Sequence, residues 1–422
     1  MRNFAPYKFY LFIETASSLL YFLTFTAASL YEIRVAGFSP LQLVLVGTTL
    51  ELTVLLCEVP TGIVADVYSR RLSVIIGFVI VGLGFLLEGL IARFVTILLA
   101  QVIWGLGYTF TSGSRQAWLS DEIGEERANQ AFLSANKFSL AGSLAGMLLA
   151  ILVGSSRVNL PIVASGGLFI LLAGSLALTM PEHGFHPAPR EQRNSFQQMF
   201  HTFRLGLQTI RRRPRLITIL GMGLFYGLYS EGWDRLWVKH MLARFTLPLL
   251  FGKNEIAFLG LLQACSTLLA IGATALVEKR LDTSQPRRIG RWMFGITVGI
   301  ATCILLYAWS PFLGLAIGIY MLLWPLRNLV GPLTDAWINQ HLDSDVRATV
   351  LSMTGQVDAV GQISGGPLIG VVASLFSVQT ALTASGLLLT PALPLILVAN
   401  RTPPSSPENI SASPAINNLG NS

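Results

Sequence analysis

The chain has 422 residues, of which 52% are hydrophobic and 12% charged, about half the roughly 25% charged share of a soluble protein. That balance excludes an ordinary soluble domain. A formal net charge of +7 would suit a nucleic-acid binder, but beside a mean hydropathy of +0.60 the basic residues read as topology signals instead, and no nucleic-acid partner is expected.

Apolar runs of about 20 residues, the length a helix needs to cross a bilayer, fall near 9–33, 41–64, 72–92, 94–116, 129–154, 158–180, 216–240, 255–278, 290–309, 311–335, 349–375 and 377–399. The first follows Arg2 and Lys8 as a leader peptide would, but it is too long, carries Glu14 and lacks a small-residue cleavage pattern, so it reads as a span. Lipid leaves no backbone group unsatisfied and no strand pattern closes a barrel, so the spans are helices. The expected fold class is an all-α membrane protein, its twelve transmembrane helices arranged as two pseudo-symmetric six-helix bundles.

The polar stretch 181–215 divides the spans into six and six. It carries Arg190, Arg193, Arg204, Arg211, Arg212, Arg213 and Arg215. The expected organisation is therefore a first bundle over 1–180, a connector over 181–215 and a second bundle over 216–399. A tail over 400–422, rich in Pro, Ser and Asn, has almost nothing to bury and is expected to be disordered. Assigning alternate loops to alternate sides places 21 Lys and Arg with the N-terminus and seven opposite, which puts both termini and the connector in the cytoplasm of a multi-pass plasma-membrane protein.

An internal repeat supports the division. Ala117-Trp118 recurs as Ala336-Trp337, and Gly142 and Gly146 recur at the same offset as Gly361 and Gly365. Two halves in one topology are the parallel repeat of a transporter with its site between them. The paired glycines, four residues apart, read as helix-packing seams.

The turn after the second span reads Gly62-Ile-Val-Ala-Asp66-Val-Tyr-Ser69-Arg70-Arg71. It resembles the loop motif of the major facilitator superfamily, with Ser69 where that pattern has its second glycine. Glu58-Val-Pro-Thr-Gly62, Ser112 to Asp121 and Ser230-Glu-Gly-Trp-Asp-Arg-Leu-Trp237 resemble the drug:proton antiporter branch, relatives of tetracycline and macrolide exporters. The resemblance implies that Gly62, Asp66, Arg70 and Arg71 form a gate that latches the halves in one state and releases them in the other. Asp66 is expected at the start of the third helix or against a basic partner, and Glu58 with the gate. The competing reading of Arg70 and Arg71 is that they only anchor the turn at the headgroups. The second-half counterpart, Lys279 to Asp282 with Arg287 and Arg288, keeps charge without the glycine spacing.

Acids inside spans cost several kcal/mol unless paired or protonated, which makes them functional candidates. At the helical rise Glu51 lies about 15 Å into its span, Asp358 about 14 Å and Glu14 about 9 Å. These three are the candidates for proton coupling or substrate contact, against structural hydrogen bonding for Glu51 and Asp358 and snorkelling for Glu14. Arg115 needs an acid, either Asp121 or a first-half glutamate. Glu231 and Arg235 share a helix face as an i,i+4 pair, which leaves Asp234, near the outer end, to meet Lys239 or an outer-mouth substrate, while Arg327 should find a carboxylate across the cytoplasmic half of the bundle. Tyr21, Phe25, Phe225, Tyr226, Tyr229 and Trp233 are candidate cavity aromatics for an apolar cation, against membrane-belt positions.

Cys57, Cys265 and Cys303 lie in apolar runs without metal-ligand spacing, and the five histidines fall in or beside loops. No Walker loop, H-E-x-x-H or G-x-S-x-G motif is present, so neither an enzyme nor a cofactor or metal is expected. The expected function is export of a hydrophobic or amphipathic small molecule in exchange for protons by a monomer whose halves rock in the bilayer. Import or facilitated passage of a small metabolite is the main alternative, and a non-transporting receptor or scaffold the remote one.

Overall fold

A computed structural model describes residues 6–187, 214–250, 254–280, 286–339 and 344–401. Among these residues there are thirteen α-helices and no strand. They are α1 (Pro6–Arg34), α2 (Pro40–Val67), α3 (Arg70–Leu90), α4 (Phe94–Ile123), α5 (Glu125–Gly154), α6 (Leu160–Thr179), α7 (Pro214–Arg244), α8 (Ile256–Arg280), α9 (Pro286–Ala308), α10 (Leu313–Asn339), α11 (Ser344–Leu375), α12 (Val378–Leu388) and α13 (Ala392–Arg401).

Ten stretches are long and apolar enough to cross a membrane, the last of them Val378–Asn400, which joins α12 and α13. The remaining two long helices, α7 and α11, have 31 and 32 residues. They carry Glu231, Asp234, Arg235 and Asp358, and their lower apolar content marks where polar chemistry enters the bundle. The twelfth span is one helix by hydropathy and two in the structure. Pro391 supplies no N–H and disfavours helical backbone at Thr390. The chain crosses the break with tighter bonds, Thr390 N to Leu387 O and Ala392 N to Leu389 O, both at 3.0 Å.

Local chemistry sets the other helix ends. Gly37 takes φ +69° between α1 and α2, a conformation costly for other residues. Ser39 then caps α2 in a reciprocal arrangement with Gln42, with Pro40 at the first helical position. Gly124, at φ +83°, is the single residue between α4 and α5.

The repeat appears as packing. A Cβ on Gly142 or Gly146 would strike the carbonyls of Thr15 and Leu19, so α5 lies backbone to backbone on α1. Gly361 and Gly365 stand in the same relation to Leu224 and Leu228, setting α11 on α7. Close backbone approach through small residues is how helices associate when lipid offers no hydrophobic incentive.

The halves meet at one end. Arg34 pairs with Glu255, Lys239 donates to the Phe38 carbonyl, and Asn254 donates to the carbonyl of Gly154 at 2.9 Å. α2 also packs on α11 where Val44 and Thr48 face Gly366. Among the described residues every hydrogen bond and ion pair between the halves lies at this end, here called the closed face. The opposite end carries the start of α1 and the α2–α3 turn and is called the terminal face. There the beginning of the connector is bound to the first half: Trp118 donates its indole N–H to the Pro181 carbonyl at 2.7 Å, and Glu122 accepts the N–H of Gly184 at 2.9 Å. Connector arginines 190, 193, 204 and 211–213, the turn at 281–285 and the tail beyond Arg401 lie outside the described residues.

Candidate functional site

At the terminal face the Gly62 to Arg71 turn forms a charge cluster within the first half. Arg70 binds Asp66 and also Asp121, the latter at 2.8 Å. Asp66 thus sits near the end of α2 against a basic partner and not at the start of α3. Ser69 explains how the turn forms without its second glycine. Its φ of −176° is extended backbone open to any residue, and its hydroxyl caps α3 by accepting the Leu72 N–H at 2.9 Å. The same hydroxyl donates to Glu182, which also accepts the Arg71 N–H at 2.9 Å. Glu58 is exposed on the last turns of α2. Replacing Ser69 by Gly should therefore lower thermal stability by about 1 kcal/mol or less while leaving the turn intact, a result readable from the unfolding midpoint of the purified protein.

Arg115 meets Glu14 at 2.9 Å and donates to Ser17 at 3.0 Å. Asp121, the other candidate partner, is committed to Arg70. Snorkelling is thereby excluded for Glu14, whose carboxylate reaches across from α1 to α4.

In the second half a cavity of about 530 Å³ between α7, α10 and α11 sets Asp234, Arg327, Asp358 and Gln362 among aromatic and apolar groups. Arg327 makes a two-pronged pair with Asp234, Nη2 to Oδ2 at 2.7 Å, and lies 5.7 Å from the Tyr229 ring centre. Asp358 accepts from Gln362 at 2.8 Å. Asp234 does not meet Lys239: five residues apart on a helix the two point in widely different directions, and Lys239 reaches Phe38 instead. Tyr226 and Tyr229 line this cavity. Trp233 does not; it is 1% exposed and packs on Tyr307 and Tyr320 where α9 and α10 cover that face of α7. Phe225 packs against the core and is likewise absent from the cavity wall.

The first half has a cavity of about 390 Å³ of more apolar character, walled by Tyr21, Phe22, Phe25, Trp104 and Tyr108 around Glu51. Among the described residues the Glu51 carboxylate makes no hydrogen bond or ion pair. Toward the closed face a further cavity of about 280 Å³ shares Phe25, Leu50 and Trp104 with it. This one contains Glu32 and Glu88, each 2% exposed, and Gln101, 3% exposed. Gln101 donates to Glu88 at 3.0 Å and accepts from the Trp104 indole at 2.9 Å. Arg235 enters from the second half, held by Glu231 at 2.9 Å.

Sequence reasoning missed Glu32 and Glu88 because depth along a span pointed to the middle. Both stand two residues before a helix ends, in α1 and α3, where acids oppose the helix dipole. That mismatch was the available signal. His240, read as loop-borne, is buried inside α7 beside Tyr307, because α7 continues to Arg244. No group of three or more His, Cys, Asp or Glu side chains suited to a metal occurs among the described residues.

Two six-helix halves joined at one face, each with a cavity that holds charged groups, match a known architecture. The Major Facilitator Superfamily model matches residues 10–357. The chain belongs to the major facilitator superfamily. This membrane transporter is 21% identical over 360 residues, 85% of its own length and 86% of the other's, to the uncharacterized MFS-type transporter YxaM of Bacillus subtilis (strain 168). Similar solved structures include a bacterial homologue of the human lysosomal transporter Spinster in an inward-facing, unoccupied conformation (15% identity, TM-score 0.75, covering 94% of this chain and 98% of that one). The nucleoside transporter NupG is also similar (14%, TM-score 0.74, 95% and 100%), as is a D-xylose-proton symporter (12%, TM-score 0.65, 92% and 99%). At such identities the likeness establishes the fold. The family is one of membrane transporters, so the chain is not an enzyme.

Proposed function

We propose that this transporter exports hydrophobic or amphipathic small molecules, drug-like compounds, in exchange for protons. In this reading it is a plasma-membrane monomer with both termini in the cytoplasm. The bundles 1–180 and 216–399 rock about the connector 181–215, so the terminal face is the cytoplasmic one. The observation that carries the reading is Glu51, a carboxylate without a protein partner among the described residues, set in an aromatic wall. Apolar surroundings favour the neutral acid, while a cationic or amphipathic guest over the rings favours the carboxylate. A group that holds a proton or a guest, and not both, couples their opposed movements when access alternates. Asp358, in the wall of the second-half cavity, is the secondary candidate for the same role.

The second-half cavity supports a competing reading. Asp234, Arg327, Asp358 and Gln362 form a hydrogen-bonding wall suited to a polar metabolite, which a proton symporter would import.

Energised inverted vesicles separate the two. Lipophilic cationic dyes should accumulate with the proton gradient, and Glu51→Gln should reduce gradient-driven accumulation by about tenfold or more, the range of a lost charged interaction. Asp358→Asn should have a smaller effect, because Gln362 already supplies a partner. If no dye moves with the gradient, or Glu51→Gln transports like wild type, the antiport assignment fails. Proton-driven uptake of nucleosides, sugars or peptides into right-side-out vesicles would favour the import reading.

A further inference from the structure

The charges at the closed face do not balance within either half. The cavity there takes Glu32 from α1 and Glu88 from α3, both buried, and among the described residues the first half supplies no base to its wall. Glu88 has one N–H from Gln101 at 3.0 Å, and the Glu32 carboxylate has no hydrogen bond or ion pair among the described residues. The base in that wall is Arg235 of α7, which belongs to the second half. Its charge acts on both glutamates across the cavity, while its direct ion pair is with Glu231 at 2.9 Å.

Two features hold the guanidinium in that place. Glu231, one turn back on the same helix, binds Nε and so sets the direction of the side chain. From the first half, Gly47 of α2 leaves the space, because a Cβ there would overlap the Glu231 carboxylate and the Arg235 guanidinium. The pair is thus seated in the first half although the second half carries both residues.

The other links across this face are of a different kind. Arg34 reaches Glu255 with its side chain 48% exposed, where water screens an ion pair to little effect. Lys239 and Asn254 donate to neutral backbone carbonyls. Attraction between charges is screened least across a buried cavity, so the charges of Arg235, Glu32 and Glu88 act most strongly on whether the halves meet.

Parting the halves withdraws Arg235 and Glu231 together, since both ride on α7, and opens Glu32 and Glu88 to water. Arg235 keeps a partner in either state, whereas the two glutamates have a counter-charge when the face is shut. We propose that Arg235 is the cross-half counter-charge of Glu32 and Glu88 and thereby holds the closed face shut, with Gln101, fixed by the Trp104 indole at 2.9 Å, supporting Glu88. The assignment concerns closure and does not rest on the proposed substrate, its direction or proton antiport. It carries a sign that a pair confined to α7 lacks. With Arg235 neutral, Glu231 of the second half faces the first-half acids, Glu32 among them, and attraction across the face becomes repulsion.

The test is cross-linking at fixed pH between cysteines at Arg34 and Glu255, in a background without Cys57, Cys265 and Cys303, which reports the shut face and removes the exposed pair from every variant alike. Arg235→Gln should lower the yield by about tenfold or more, and Glu32→Gln or Glu88→Gln by a smaller factor. Adding Glu32→Gln and Glu88→Gln to Arg235→Gln should restore much of the yield, since no first-half charge then remains to repel Glu231. If Arg235 acts only through Glu231 on its own helix, glutamine at 32 and 88 will leave the yield unchanged and rescue nothing, and either result would overturn the proposal. Glutamine nearly matches glutamate in shape, so the variants at 32 and 88 decide the matter even where Arg235→Gln fails to fold.

Discussion

Replacing Asp234 by Asn will cost more thermal stability than replacing Arg327 by Met, and the double replacement will cost less than the two singles summed. The order follows from what each change leaves behind. Without Asp234, the Arg327 guanidinium, whose side chain is 15% exposed, keeps its charge and retains only the Tyr229 ring. Without Arg327, Asp234 is 41% exposed and can be hydrated from the cavity. A fully buried pair broken on one side costs about 3–5 kcal/mol. The wetter geometry here brings Asp234→Asn to about 2 kcal/mol or slightly more. Replacing both removes two desolvated groups together, so most of that loss should return. Arg327→Lys should recover little, because an ammonium cannot reproduce the two-pronged contact that α10 makes with α7. Unfolding midpoints of the four proteins, combined as a double-mutant cycle, give the coupling directly. Additive losses, or a costlier Arg327→Met, would refute this account of the pair.

The same pair shows what the sequence reveals of the site. Asp234 and Arg327 are 93 positions apart, and nothing local to either names the other. Spacing finds only contacts within one helix, such as Glu231 with Arg235. Ten spans were legible because lipid demands a continuous apolar run, and α7 and α11 because charged residues interrupt stretches that are otherwise apolar. Helix ends were less so. α4 continues through polar Arg115 to Glu122 up to Ile123, since its backbone bonds do not depend on hydropathy once the chain reaches water. The break in the last span was written in Pro391, though hydropathy passes over it. Midplane depth drew attention to Glu51 and Asp358. It could not reveal that helices from elsewhere in the chain bury Glu32 and Glu88 at helix ends, because Gln101 and Arg235 meet them only in the folded bundle.

A side chain at Gly47 will stop the halves from meeting at the closed face. Gly47 lies inside α2, where alanine is preferred to glycine by about 0.8–1.0 kcal/mol, so local preference alone favours replacement. Its surroundings oppose it. A Cβ at this position would overlap the Glu231 carboxylate and the Arg235 guanidinium, a bonded pair whose removal from its place would also disturb the closed-face cavity. On α11, Gly366 stands against Thr48, Val44 and Glu231, and Gly370 against Leu41 and Val44, so the seam is built of small residues from both halves. Packed helices shift between discrete arrangements and do not deform continuously. A Gly47→Leu protein should therefore fold, since α2 is undamaged, yet lose the state in which this face is shut. Cysteines at Arg34 and Glu255, paired across the face in the native protein and placed in a background without Cys57, Cys265 and Cys303, report that state through the yield of a short bifunctional cross-linker. Gly47→Ala should lower the yield, and Gly47→Leu should lower it further, with transport reduced by about tenfold or more, as a population shift of about 1.4 kcal/mol against the closed state requires. Gly174→Leu is the control, because nothing lies within 4 Å of a Cβ there, and it should leave both readouts unchanged. An unaltered cross-linking yield in Gly47→Leu would mean that α2 and α7 pass one another without this contact, and the seam would lose its role in closure.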